Sequence, residues 1–248
     1  MDWLALRLSP VYYGLGIPKG DGSPVVVVPG FMGTDIYLSE LFLWLRRVGY
    51  QPYVSGIRIN ADCPDRLMQR LLLTMERAYA ESGKAVRVIG HSLGGLIGRG
   101  ACLQRPDICS QLICLGSPVR ALDAHPAVLA TMALLRLAVQ VGSPGGDGRC
   151  LTGHCGCGFG RTLAKPLPAS VEHAAIYTRM DGVVDWHDSL ESDPRLNYEV
   201  GGTHIGLVFN PRAYRVLAEL LANPRTTGVL SQSAACGASR GANLPRKE

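Results

Sequence analysis

In 86–100, VRVIGHSLGGLIGRG, a serine sits between glycines where an apolar, strand-like run gives way to a helix-prone one. The pattern is Gly90-His91-Ser92-Leu93-Gly94, or G-x-S-x-G. An ordinary turn could carry these letters, so the placement is what matters. Glycines on both sides let the backbone turn sharply enough to hold a serine hydroxyl exposed at the end of a strand. The N–H groups opening the following helix then face the place where negative charge would develop. Ser92 is the candidate nucleophile.

A serine hydroxyl is a weak nucleophile at neutral pH. It needs a base, and the base needs a third group to fix its tautomer and stabilise its cation. Of six histidines, His91 neighbours the serine and should point away from it, and His125, His154 and His173 lie in or beside an irregular stretch. His204, in YEVGGTHIGLVFNP, follows the last strand-like run and precedes the last helical one, and two glycines allow a tight loop there. His204 is therefore the preferred base, with His187 as its rival. For the acid, RMDGVVDWHDSLESD offers Asp181, Asp185, Asp188 and Asp193. Asp181 stands nearest the strand end, and Gly182 could supply the turn that aims its carboxylate at the base. Asp185 is the alternative, and Asp188 and Asp193 read as a solvated acidic loop.

These side chains must be gathered by a scaffold, and the chain alternates apolar runs with helix-periodic stretches. That alternation predicts an α/β fold, a mostly parallel central sheet flanked by helices. Strand candidates are 25–29, 52–57, 86–90, 112–116, 174–179 and 197–200. Leu38, Leu41, Phe42, Leu45 and Val48 recur at helical spacing, as do Leu67, Met68, Leu71, Leu72, Met75, Ala78 and Tyr79. Asp62 is expected to cap the second of these helices, with Pro64 in its first turn. One more helix should follow Ser92, and a last should span 211–222. In such sheets, sites gather at the carboxyl ends of the strands.

The order Ser92, Asp181, His204, with PGFMGTD early and GHSLGG in the middle, resembles the α/β-hydrolase superfamily. It resembles in particular bacterial lipases and esterases, whose early loop reads HG-x-x-GTD and whose acid lies in a DG-hydrophobic-V segment. The resemblance covers most of 24–223. It implies that the backbone N–H groups of Phe31 and Leu93 form the oxyanion hole. Pro29 stands where many family members have histidine, so whatever that histidine steadies must be held otherwise, in part by the proline ring. Several of those lipases bind structural calcium near the catalytic histidine. No matching ligand pattern is found here, and none is expected.

Residues 119–170 interrupt the alternation. Within them, AVLATMALLRLAVQV (127–141) would be apolar around most of a helix, either a lid over the site or a helix packed on the core. A lid implies an ester with an apolar acyl chain. CLTGHCGCGFG brings together Cys150, His154, Cys155 and Cys157, a set compatible with a local disulfide, a metal site of imperfect spacing, or free thiols. Cys102 and Cys114 lie in apolar segments and read as small buried hydrophobes.

The expected organisation is one domain over 1–223, with the lid-like insertion at about 119–170, and a flexible tail over 224–248. Of the 248 residues, 47% are hydrophobic and 18% charged, an ordinary globular balance. The net charge of +5 owes much to Arg225, Arg240, Arg246 and Lys247 in the tail, and no basic stripe suggests nucleic acid. No apolar window is long enough to span a bilayer, and the N-terminus lacks the pattern of a secretory signal. The expected protein is a serine carboxylester hydrolase needing no cofactor. It would be cytoplasmic, or secreted if a leader has been removed, with small ester or lipid substrates and at most transient contact with a lipid interface. A thioesterase, amidase or acyltransferase could use the same residues, and a binding protein could retain the fold without the chemistry.

Overall fold

The computed structural model describes residues 2–119 and 158–223. Its sheet holds β1 (Pro24–Val28), β2 (Gln51–Val54), β3 (Val86–His91), β4 (Cys109–Leu115), β5 (Glu172–Tyr177) and β6 (Asn197–Glu199). The strands lie in the order β2-β1-β3-β4-β5-β6, and every neighbouring pair is parallel. The four consecutive valines of β1 are fully buried because this strand is covered on both faces. Successive side chains point to opposite sides of a strand. Val25 and Val27 enter the core under α1 (Asp2–Leu8), α2 (Ser39–Val48) and α6 (Pro211–Ala222). Val26 and Val28 enter the opposite core, under α3 (Pro64–Ser82), α4 (Leu93–Gln104) and α5 (Phe159–Leu163).

The expected helices are present, and several element ends differ from expectation, β5 for instance running over Glu172–Tyr177 and not 174–179. The edge strand β2 stops at Val54 instead of reaching residue 57. There, the Ser55 N–H and hydroxyl both donate to Asp35 Oδ1, and Gly56, at φ +77°, turns the chain away. At the start of β4, pairing begins at Cys109, earlier than the apolar run suggests. At α3, Pro64 occupies the first turn as expected, but Asp62 does not cap the helix. Its carboxylate accepts from the Cys63 N–H and pairs with Arg66 and Arg70, leaving Cys63 as the flanking residue.

The N-terminal helix α1 is a further finding. It is held by Glu40, a buried carboxylate that accepts from Trp3 Nε1 at 2.8 Å and is bonded by Arg7 and the Tyr12 hydroxyl. Burial raises the acid, but those donors outweigh it and leave its pKa lowered. Cys102 and Cys114 are buried free thiols, as expected. Burial pushes the Cys114 thiol up to about 12, so it is a packing group and not a nucleophile. Among the described residues, no helix is long and apolar enough to cross a membrane. The apolar stretch 127–141, the cluster of Cys150, His154, Cys155 and Cys157, and the tail 224–248 lie outside the described residues.

Candidate active site

Ser92 is the residue between β3 and α4, with φ +53° and ψ −125°. Among the described residues, only it and Met32 combine a side chain with positive φ. Such backbone costs about 1–3 kcal/mol and persists only where the surroundings enforce it. Here the Ser92 N–H donates to Leu115 O at 2.9 Å, tying the turn to the end of β4. Gly94 permits the other tight approach. A Cβ built on it would stand 2.3 Å from Val28 O and 2.5 Å from Pro29 O, inside the backbone of the early loop. Gly94→Ala should therefore push α4 and that loop apart, lowering stability by about 1–3 kcal/mol. The checks are thermal melting and esterase assay, and a variant with unchanged melting would contradict the close approach.

The candidate acid and base lie in the segments that follow two neighbouring strands, β5 and β6. His204 Nδ1 lies 2.6 Å from Asp181 Oδ2, and both side chains are buried. A carboxylate can only accept, so the shared proton belongs to Nδ1, and Nε2 keeps a lone pair for use as a base. The other carboxylate oxygen, Asp181 Oδ1, accepts from the Val183 and Val184 N–H groups, each at 2.9 Å. Burial alone would raise this acid. The His204 hydrogen bond and the two amides outweigh burial and leave it below its ordinary value. Asp181 thus stays ionised at neutral pH. The stability it contributes is complete above the ordinary carboxylate range and is lost as pH falls through the lowered value.

Gly182 does not have the part expected of it: its φ is not positive, and a Cβ there would meet nothing within 4 Å. The turn is made by Asp181 itself, whose side chain receives the next amides as an Asx turn. Gly202, at φ +111°, does supply the tight loop before His204.

The rivals are separated cleanly. His187 Nδ1 and Asp185 Oδ1 lie 2.7 Å apart, but as an exposed surface pair. Asp193 pairs with Arg195. His173 sits by Glu191, and His125 and His154 lie outside the described residues. The buried ring of His91, read only as pointing away from Ser92, lies 4.8 Å from that of His204, with Nε2 3.0 Å from His204 O.

After β1, the loop at Gly30–Gly33 is closed by a Gly33 N–H bond to Gly30 O at 2.9 Å. Phe31 packs its side chain on the core beneath α3 and α4. No partner for the Phe31 or Leu93 N–H is found among the described residues.

No family model matches the sequence. Triacylglycerol lipases of Burkholderia plantarii and Pseudarthrobacter phenanthrenivorans are each 29% identical to it, over 126 and 106 residues. Those matches cover 47% and 39% of this chain, and 35% and 33% of the lipases. The chain thus aligns with about a third of the length of the curated relatives it matches. Among solved structures, a mature lipase of Bacillus licheniformis superposes with a TM-score of 0.59 at 16% identity, over 83% of this chain and 94% of the lipase. A monoacylglycerol lipase of Paleococcus ferrophilus gives 0.56 at 15% identity, over 84% and 96%. An extracellular alpha/beta-hydrolase of a Paenibacillus species gives 0.54 at 14% identity, over 81% and 98%. The fold is that of an α/β-hydrolase.

Two residues of this site carry no pattern in the sequence. Asn60, fully buried, donates from Nδ2 to Pro29 O at 2.6 Å, accepts the Met32 N–H at its own carbonyl, and donates its N–H to Gly33 O. Asn60 thereby clamps the early loop at three points. That answers how the loop is steadied with proline at position 29: the proline presents a carbonyl, and a neighbouring loop holds it. Asn60→Ala removes the side-chain bond and leaves Pro29 O buried without a partner, a cost of about 1–3 kcal/mol. It should also lower kcat, by at most the about 10²- to 10³-fold attributed to one oxyanion donor. Parallel melting and turnover assays check both. Gly116 is the second such residue. At φ +56°, it leaves space that a Cβ would close, 3.2 Å from both Asp181 Oδ2 and His204 Nδ1.

Proposed function

We propose that this chain is a serine carboxylester hydrolase that cleaves esters with apolar acyl chains through an acyl-enzyme. Ser92 Oγ adds to the ester carbonyl while His204 Nε2 takes its proton, and Asp181 holds the resulting imidazolium through Nδ1–H. The carbonyl oxygen becomes an oxyanion facing the Phe31 and Leu93 N–H groups, each such donor typically contributing about 3–4 kcal/mol. Collapse expels the alcohol, which leaves with the proton from His204. Water then attacks the acyl-enzyme with His204 again as base, and Ser92 is regenerated with release of the carboxylic acid. No cofactor enters this cycle.

The buried His204–Asp181 pair, on loops flanking a strained serine at the sheet's carboxyl edge, carries this reading. The apolar preference rests on three exposed side chains beside the working residues: Met180 next to Asp181, Ile205 next to His204, and Ile36 just beyond the early loop. An apolar acyl chain or the edge of a lipid droplet would cover them, whereas a sugar or peptide would gain little there. A p-nitrophenyl ester series from acetate to decanoate tests this. The expected result is a kcat/KM that rises beyond acetate and exceeds that for the acyl-thioester of the same chain. A maximum at acetate would remove the apolar preference, and faster thioester turnover would reassign the reaction.

A further inference from the structure

We propose that His91 is a positioning residue for the catalytic base: its Nε2–H holds the main chain of His204 and thereby sets where that imidazole stands relative to Ser92. The proposal rests on the hydrolase reading above.

His91 is the last residue of β3, immediately before Ser92, and is almost completely buried. Its Nε2 lies 3.0 Å from His204 O, and because a carbonyl only accepts, the proton must sit on Nε2. Nδ1 is consequently the bare nitrogen. It is buried, has no hydrogen-bond partner among the described residues, and lies 2.9 Å from where a Cβ on Gly30 would stand, against the loop after β1. One ring therefore touches the loop that carries Phe31 and the backbone of the base, and is covalently next to the nucleophile. A buried polar atom without a partner is a cost a core position would ordinarily avoid. The donor on the opposite side of the ring supplies a reason to keep a histidine here.

The stretch that carries His204 is held on both sides of that residue, Asn210 Nδ2 donating to Gly201 O and the Tyr37 hydroxyl to Ile205 O at 3.4 Å, and His91 adds the bond to His204 itself. The stretch begins at Gly201 and Gly202, which supply no side chains to anchor it, and ends in a 3-10 turn at Ile205–Phe209. Thr178 Oγ1 holds the glycine side by donating to Gly202 O at 2.7 Å, and His91 holds the residue that bears the imidazole. Among the described residues, the charged and titratable groups around the ring are His204, Asp181 behind it, and Tyr37, whose ring centroid is 5.7 Å away. Burial, reinforced by His204, lowers the His91 pKa to about 3, so the ring stays neutral and remains a one-sided donor while His204 cycles through its cation.

Two substitutions separate donor from bulk. His91→Phe keeps a flat ring without a donor, and His91→Gln keeps an N–H donor without the ring. The expected result is a kcat about 10²-fold lower in His91→Phe, with KM little changed, the loss typical of a misplaced catalytic group. His91→Gln should restore most of kcat. The low-field proton resonance of the His204–Asp181 pair should be shifted or broadened in His91→Phe and regained in His91→Gln. Equal losses in both variants, or wild-type kcat and an unchanged resonance in His91→Phe, would overturn the proposal. Should His91→Phe not fold, the glutamine variant decides alone: a folded His91→Gln with kcat reduced about 10²-fold contradicts a donor role. The resonance is read without turnover. An inactive wild type that retains it would count against the hydrolase reading and leave the tether to be judged by the resonance itself.

Discussion

Ser92→Ala should remove ester hydrolysis almost entirely, with kcat falling by about 10⁴- to 10⁶-fold, the range seen when a serine nucleophile is deleted. The fold should survive. The Ser92 backbone is held by Leu115 O through its N–H and by the Gly95 N–H at its carbonyl, and alanine retains both bonds. Alanine must still adopt φ +53°, so the strain of the turn remains and the melting temperature should change little. The measurement is turnover of a medium-chain p-nitrophenyl ester beside a thermal melt of the same sample. A folded variant that keeps a tenth or more of wild-type kcat would show that another group does the chemistry.

Asp181→Asn should cost about 10⁴-fold in kcat, chiefly through the tautomer of His204. The asparagine carbonyl oxygen can still accept from the Val183 and Val184 N–H groups, so the loop keeps its shape. Facing His204 Nδ1, however, the new amide nitrogen is a donor. The histidine then places its proton on Nε2, and the lone pair needed for catalysis turns away from the serine. The matched control is Asp185→Asn, which breaks only the exposed pair with His187 and should leave kcat near the wild-type value. Equal losses in the two variants would mean that the buried pair has no special part.

Much of this arrangement is legible in the sequence because it depends on local physics. Four valines closed by Pro-Gly read as a strand buried on both faces, and a serine between glycines at a strand–helix junction reads as an exposed nucleophile. The order of acid and base follows from strands that succeed one another along a parallel sheet. What escapes reading depends on partners far along the chain. The end of β2 is decided by the carboxylate of Asp35, and the orientation of His91 by a carbonyl of residue 204. Asn60 lies in a loop without periodicity and becomes meaningful only where it meets Pro29 O. Gly182 misleads for a related reason: beside an aspartate it suggests a glycine turn, whereas the aspartate side chain makes the turn by accepting the following amides.

Ester hydrolysis at this site requires Ser92 to be activated by its surroundings. The most direct test is intact-mass detection of a fluorophosphonate adduct, followed by peptide mapping, on the full chain and on the Asp181→Asn variant. A single adduct on Ser92 in the wild type, formed far more slowly in the variant, is the predicted result. No adduct on a folded wild-type protein, or an adduct mapped to another residue, would contradict it.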